Sequence, residues 1–146
     1  MAPKAADAPN LNAYSDIIDR ATFDQILEMD DDEEEREFSR GIVYGFFEQA
    51  ESTFDKMEKA LTDENLDELS QLGHFLKGSS ATLGLTKVKD ACEKIQHFGA
   101  RKDETGTVEN DDATALANIK QTLGEARGDY DEVAKILKQF YGEKVQ

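Results

Sequence analysis

Residues 66–84 read LDELSQLGHFLKGSSATLG, and their leucines recur with the spacing of one face of an α-helix. These leucines are Leu66, Leu69, Leu72, Leu76 and Leu83. The glycine that follows them, Gly84, is typical of the left-handed residue that ends a helix. We therefore predict an amphipathic helix whose leucine face lies in a core and whose opposite face meets solvent.

Three other segments show the same helical spacing. Their apolar positions are Phe38, Ile42, Phe46, Ala50, Phe54, Met57 and Leu61 in the first, Val88, Ala91, Cys92, Ile95 and Phe98 in the second, and Leu116, Ile119, Leu123, Ala126, Tyr130, Val133, Leu137 and Phe140 in the third. Short links require the first three long helices of the chain to run antiparallel, and a loop at residues 103–111 lets the last one close the bundle. The predicted fold class is all-α, an up-down-up-down four-helix bundle.

A shorter apolar pattern of Phe23, Ile26 and Leu27 predicts an additional short helix before the bundle. Residues 1–20 are mostly small or polar and hold both prolines of the chain, so they are predicted to form a flexible N-terminal tail. Residues 21–146 are predicted to form the bundle domain. The acidic run at residues 30–35 is interpreted as a solvated connector that favours the positive end of the next helix, or as a docking surface.

The composition excludes several classes of function. With 32 acidic and 17 basic residues the net charge is −15, which repels phosphate backbones, so no nucleic-acid partner is expected. No apolar run approaches the ~20 residues of a membrane span, so no membrane partner is expected either. Cys92 is the single cysteine, and its place on an apolar helical face predicts a buried thiol.

One histidine lies on the wrong face of its helix for a core residue. At ~100° per residue, His74 is about 160° to 200° away from Leu72, Leu76 and Leu83. One turn further on, Lys77 places a cation near His74. Gly78 leaves the neighbouring position without a side chain, although glycine destabilises a helix by about 1 kcal/mol relative to alanine. An exposed nucleophile in such a cleared place suits phosphoryl transfer, if a partner supplies the metal. The alternative is an ordinary surface histidine.

The string from His74 to Leu85, HFLKGSSATLGL, resembles the signature of histidine-containing phosphotransfer (HPt) proteins. More narrowly, it is similar to the fungal osmosensing phosphorelay intermediates of the Ypd type. Residues 29–32, 38–41 and 92–96 agree with the same pattern, and the resemblance runs from Thr22 to Tyr141.

The resemblance implies roles for individual residues. His74 corresponds to the phosphorylated histidine, Lys77 to the lysine beside the phosphoryl group, and Gly78 to the glycine that leaves room for it. Gln96 corresponds to a glutamine that orients or contacts the site. The implied docking surface for receiver domains is an apolar patch with an acidic rim, composed of Phe23, Ile26, Leu27, Ile42 and Phe75 with Asp30, Asp31 and Asp32.

The function implied by the resemblance is that of an intermediate in a multistep two-component phosphorelay. Its partners would be receiver domains of a hybrid sensor histidine kinase and of response regulators, in the cytoplasm and nucleus. The chain would be a monomeric carrier without turnover or kinase activity, holding no cofactor or metal, while the receiver supplies Mg²⁺. A non-catalytic adaptor is the alternative. A metal-binding bundle is disfavoured because paired Glu-x-x-His motifs are missing from the sequence.

Two positions near the end of the third long helix carry weaker signals. The basic residues after Gly99 are displaced by one relative to the family pattern, which leaves the role of Arg101 open. His97 lies roughly opposite the apolar face of its helix and is interpreted as an exposed surface histidine. The loop before the last helix is shorter than in the yeast member of the family, so an extra helix is expected to be missing there.

Overall fold

The computed structural model describes residues 10–32 and 35–142, which form a helical bundle. A 3₁₀ turn at Leu11–Tyr14 precedes the helices α1 (Arg20–Leu27), α2 (Glu37–Thr62), α3 (Leu66–Leu83), α4 (Thr86–Gly99) and α5 (Asp112–Phe140). Within these two ranges there is no β-strand, only two isolated bridges. The helices α2 to α5 are the four predicted long helices and α1 is the predicted short one, so the predicted fold is confirmed.

Local sequence signals set the start of α3, the start of α5 and the end of α3. The Asn65 side chain accepts a hydrogen bond from the Glu68 amide at 3.2 Å, and the Asp111 side chain accepts one from the Thr114 amide at 2.7 Å. Each of these bonds satisfies a backbone donor that the first turn of a helix leaves unpaired. Gly84 ends α3 in the left-handed conformation with φ 75°, as its place after the leucine pattern predicts.

Two glycines let α3 and α4 approach each other closely. A Cβ atom on Gly73 would lie 2.8 Å from the Cys92 carbonyl oxygen, and one on Gly99 would lie 2.5 Å from the Ser70 amide nitrogen. The Ser70 hydroxyl also crosses between the helices and donates to the Gln96 carbonyl oxygen at 2.8 Å. The position of α3, and therefore of His74, is fixed by this backbone-to-backbone contact.

The predicted flexible tail requires a correction. Leu11, Ile17 and Ile18 lie in the core, with exposed fractions of 1%, 5% and 0%. The segment is also tied down by its backbone, since the Asp19 amide donates to the Gly84 carbonyl oxygen at 2.7 Å. The folded domain therefore begins near Leu11, because these apolar residues follow no helical period and still fill the end of the bundle. Residues 1–9 of the predicted tail lie outside the described residues.

The start of α2 also differs from the sequence pattern. Phe38 and Ile42 were expected on the core face, but their exposed fractions are 49% and 36%. Ser39 and Val43, one position further along, are fully buried instead. The buried stripe is shifted because the Asp30 carboxylate binds Ser39 and turns that residue inward.

The predicted loop before the last helix is confirmed, and it is ordered by Asp103. The carboxylate of Asp103 accepts hydrogen bonds from the Thr105 hydroxyl at 2.7 Å and from the Thr107 amide at 3.1 Å, which hold its pKa at about 2. His97 anchors the loop by donating from Nδ1 to the Glu104 carbonyl oxygen at 2.8 Å. His97 is therefore half-buried and structural, and its interpretation as an exposed histidine is wrong.

Candidate functional site

His74 is exposed on the face of α3 that points away from the core. Leu69 and Leu76, on the opposite face of the same helix, are both fully buried. Among the described residues no hydrogen bond or ion pair involves the His74 side chain, so its ring nitrogens are open to a reaction partner. The exposure that the helical wheel predicts for His74 is confirmed.

The position one helical turn after His74 is open. A Cβ atom on Gly78, one turn further along α3, would meet nothing within 4 Å. Packing within the protein therefore does not require a glycine at this position. An alanine would stabilise the helix by up to ~1 kcal/mol, so the internal packing of the bundle gives no reason for this glycine.

Lys77 supplies the cation next to this opening. It is half-buried and makes no ion pair or hydrogen bond within residues 10–32 and 35–142. The basic residues of α4 and the following loop that lie nearby in sequence are largely occupied. Arg101, for example, donates to Asp112 at 2.8 Å and to Asp67 at 3.2 Å. The ammonium of Lys77 therefore remains free to bind an anion, whereas Arg101 serves to join α3, the loop and α5.

Gln96 lies on α4 where that helix contacts α3. A Cβ on Gly73, the residue before His74, would lie 2.8 Å from the backbone nitrogen of Gln96. The side-chain oxygen of Gln96 is buried and has no hydrogen-bond partner in the described part of the chain. Leaving a buried acceptor unpaired costs about 1–3 kcal/mol. The Gln96 oxygen, on the helix that packs against α3, can therefore still accept a hydrogen bond.

Large apolar side chains are exposed on α2, on α3 and in the connection between α1 and α2. Met29, Phe38, Ile42 and Phe75 have exposed fractions of 60%, 49%, 36% and 49%. Phe38 and Ile42 share one face of α2 because they are one helical turn apart, and Phe75 is the neighbour of His74 on α3. We call these four residues the apolar patch. Ile42 and Phe75 belong to the docking surface expected from the sequence, whereas Met29 and Phe38, which are also exposed, were not part of that expectation.

The predicted docking residues on α1 require a correction. Phe23 is fully buried and Ile26 is 7% exposed, while Leu27 is half-buried against the core. The Phe23 ring meets the edge of Phe140, with a distance of 6.2 Å between the ring centroids. A helix of eight residues is too short to be stable alone, so α1 persists by turning its apolar face inward. Phe23 and Ile26 therefore lie in the core of the domain and not on an exposed surface.

The acidic rim is only partly available to a partner. The two carboxylate oxygens of Asp30 accept hydrogen bonds from the Ser39 amide at 2.7 Å and from the Ser39 hydroxyl at 2.6 Å. Asp30 therefore has a structural role at the start of α2, as the connector interpretation of the acidic run expects. Asp31 and Asp32 are exposed.

No group of three or more histidine, cysteine, aspartate or glutamate side chains is arranged to hold a metal ion in residues 10–32 and 35–142. None of the helices in these ranges is long and apolar enough to cross a membrane. Cys92 is buried, and burial raises the pKa of its thiol to about 12, as the prediction of a buried thiol requires.

Comparison with known proteins identifies the class to which this bundle belongs. The family model for the Hpt domain matches residues 42–129. The chain is 32% identical to the histidine phosphotransfer signalling protein Ypd1 of Saccharomyces cerevisiae, solved with the receiver domain of its downstream response regulator Ssk1. The TM-score is 0.77, and the match covers 90% of this chain and 98% of that one. The chain belongs to the Hpt domain family.

Within this family the chain is of the fungal Ypd type. It is 46% identical over 126 residues to multistep phosphorelay regulator 1 of Schizosaccharomyces pombe, covering 86% of this chain and 42% of that protein. It is 41% identical over 117 residues to the phosphorelay intermediate protein YPD1 of Candida albicans, covering 76% of this chain and 62% of that protein. The chain thus spans less than two thirds of the length of these curated relatives.

Proposed function

We propose that this protein is a histidine phosphotransfer intermediate of a multistep two-component phosphorelay. It accepts a phosphoryl group on His74 from the aspartyl phosphate of one receiver domain and passes it to the aspartate of a response regulator. The observation that carries the proposal is that the exposed His74 has no bonding partner in the described part of the chain, and that Lys77, also without a partner there, and the open position of Gly78 lie one turn further along α3. The relative Ypd1, crystallised with a receiver domain, supports it.

The proposed transfer needs only one nucleophile from this chain. The unprotonated ring nitrogen of His74 attacks phosphorus in line, and the N–P bond forms while the P–O bond to the aspartyl carboxylate breaks. The aspartate leaves as a carboxylate, and the reverse steps deliver the phosphoryl group to a second receiver. In this proposal Lys77 neutralises phosphoryl oxygens, and Gln96, whose side-chain oxygen has no partner among the described residues, orients the site.

The charge stabilisation that this chain lacks is assigned to the partner. We propose that the receiver brings Mg²⁺ to the phosphoryl group, since Lys77 alone offers one positive charge at the site. The chain itself is then a carrier without turnover or kinase activity. The further expectations from the sequence, a monomer in the cytoplasm and nucleus that serves a hybrid sensor kinase in osmosensing, remain part of this proposal.

The apolar patch is the proposed docking surface for receivers. Its members Ile42 and Phe75 lie on adjacent helices, and Phe75 is next to His74, so a partner seated there would bring its aspartate near the imidazole. Asp31 and Asp32 form the acidic rim. A non-catalytic adaptor would use the same surface, but it would not require an open glycine and a free lysine beside an unbonded histidine.

A labelling experiment separates the carrier from the adaptor. The protein is mixed with a receiver phosphorylated on its aspartate and with Mg²⁺, and the transferred phosphate is then characterised chemically. We expect phosphate that is labile in acid and stable in base, as a phosphoramidate is. Binding of the receiver without any transferred phosphate would instead establish the adaptor.

A Gly78→Gln variant is expected to transfer phosphate more slowly while melting at the same or a higher temperature. The glutamine would fill the space beside His74, yet it meets no atom within 4 Å at its Cβ and is a better helix former than glycine. Transfer rate and thermal melting are measured on the same preparation. Early melting would show that Gly78 serves packing and would remove the argument from accessibility.

Truncation of the apolar patch is expected to weaken receiver binding with little dependence on salt. Ile42→Ala or Phe75→Ala removes an apolar anchor, which typically costs ~2 kcal/mol of binding free energy. Asp31→Asn and Asp32→Asn should instead change the association rate, most strongly at low ionic strength. Affinity and association rate are measured at two salt concentrations. Val108→Ala, which truncates a 60% exposed side chain in the loop at residues 103–111, is the matched control.

A further inference from the structure

The C-terminal end of α5 meets two segments that are distant in the sequence. Phe140 contacts Phe23 of α1, with 6.2 Å between the ring centroids. Tyr141 is 5% exposed and meets Tyr44 of α2 edge to face at 6.2 Å. The last turn of the bundle therefore lies directly beneath the connection between α1 and α2.

A partly buried chain of hydrogen bonds joins this end of α5 to α2 and to the connection before it. The Tyr141 hydroxyl donates to Ser39 Oγ at 2.8 Å, and Ser39 Oγ donates to Asp30 Oδ2 at 2.6 Å. The Ser39 amide donates to the other carboxylate oxygen, Asp30 Oδ1, at 2.7 Å. Burial raises the pKa of Tyr141 to about 12, so its hydroxyl keeps the proton that it donates. We call these three residues the Asp30–Ser39–Tyr141 chain.

Two members of the apolar patch are attached directly to this chain of bonds. Met29 precedes Asp30, and Phe38 precedes Ser39, and both are strongly exposed. Consecutive Cα atoms are about 3.8 Å apart, so fixing Asp30 and Ser39 fixes the backbone from which both exposed side chains project. The bond between Asp30 and Ser39 also closes the acidic connector across nine residues of sequence.

We propose that Ser39 and Tyr141 are positioning residues for receiver docking, holding Met29 and Phe38 in the arrangement that the receiver binds. This inference rests on the proposed function. Ser39 has an exposed fraction of 0%, so it acts through the residues that it holds and not by touching the partner. A surface ordered before binding loses less conformational entropy on association, which raises affinity without adding a contact.

A positioning role and a purely structural role of this network lead to different receiver affinities of the folded protein. A network that only stabilises the fold would change the melting temperature, whereas the affinity of the folded protein for a receiver would be unchanged. A positioning network changes the affinity at temperatures where the protein is fully folded. It leaves the transfer rate at saturating receiver unchanged, because His74, Lys77 and Gly78 lie on a different helix.

The test is Ser39→Ala, with Ser80→Ala as the matched control. Ser80 is also fully buried, but within residues 10–32 and 35–142 its hydroxyl bonds only to the Leu76 carbonyl oxygen of its own helix, at 2.7 Å. Well below both melting temperatures, Ser39→Ala should weaken receiver binding about five- to tenfold and speed amide exchange at residues 29–32. Its transfer rate at saturating receiver should match the wild type. Ser80→Ala should bind like the wild type.

Tyr141→Phe serves as a second variant because it removes one hydroxyl and keeps the ring contacts. It should weaken binding in the same direction and by less than Ser39→Ala. Wild-type receiver affinity in Ser39→Ala, or equal losses in Ser39→Ala and Ser80→Ala, would overturn the inference while leaving the proposed function intact. A wild-type chain that neither binds a receiver nor accepts phosphate would overturn both, and no variant is needed to recognise that result.

Discussion

A His74→Gln variant is expected to accept no phosphoryl group from a phosphorylated receiver, while its helical content and melting temperature stay close to the wild-type values. The loss is complete because the side-chain amide of glutamine is not nucleophilic. Among the described residues, no second exposed histidine is followed one helical turn later by a lysine and a glycine. Stability is preserved because the His74 side chain is exposed and makes no bond among the described residues. Labelling by a phosphorylated receiver and thermal melting measure the two effects.

His97→Gln is the control for this experiment. Its half-buried ring holds the loop at residues 103–111 by donating to the Glu104 carbonyl oxygen, so the change should lower stability somewhat and leave phosphoryl acceptance intact. The two histidines of the chain are thereby separated into a reactive and a structural one. Full labelling of the His74 variant would refute the assignment of His74 as the acceptor.

Gly73→Ala is expected to lower the free energy of unfolding by about 1–3 kcal/mol, the usual cost of an overpacked interior. The added methyl group would lie 2.8 Å from both the Cys92 carbonyl oxygen and the Gln96 amide nitrogen. Both are backbone atoms of α4, so relief requires the two helices to separate. The improved helix propensity of alanine offsets only part of that cost.

Gly78→Ala, the same substitution five positions along the same helix, is expected to act in the opposite direction. Nothing lies within 4 Å of its added methyl group, so the free energy of unfolding should rise by up to ~1 kcal/mol. Urea unfolding of both variants measures the difference. If Gly73→Ala were as stable as the wild type, the close approach of α3 and α4 at this point would be disproved.

The bundle and its reactive face are predictable from sequence because both depend on helical periodicity. The leucines from Leu66 to Leu83 define the core side of α3, and the side opposite them then contains His74, Lys77 and Gly78. The burial of Leu69 and Leu76 and the exposure of His74 confirm this part of the prediction. Periodicity is a local property, so it can be recognised in the sequence without information about which elements pack together.

The exposed apolar patch could not be predicted in the same way, because an apolar residue is equally suited to a core and to an exposed surface. Phe23 and Phe38 both fit an apolar helical pattern, yet Phe23 is fully buried and Phe38 is 49% exposed. Which one faces solvent depends on the contact of α1 with Phe140 and on the bond from Asp30 to Ser39. The first contact joins residues that are distant in the sequence, and the second joins residues nine positions apart across the turn into α2.

The sequence by itself determined the number of long helices, their order and the residue that projects into solvent opposite the leucines. Only the tertiary structure decided that Leu11, Ile17 and Ile18 close the bundle, that Gly73 and Gly99 admit a neighbouring backbone, and that Met29 and Phe38 are exposed. The reason is physical. Helix formation and amphipathic patterning are set within a few turns of the chain, whereas the burial of a particular side chain depends on which distant element packs over it.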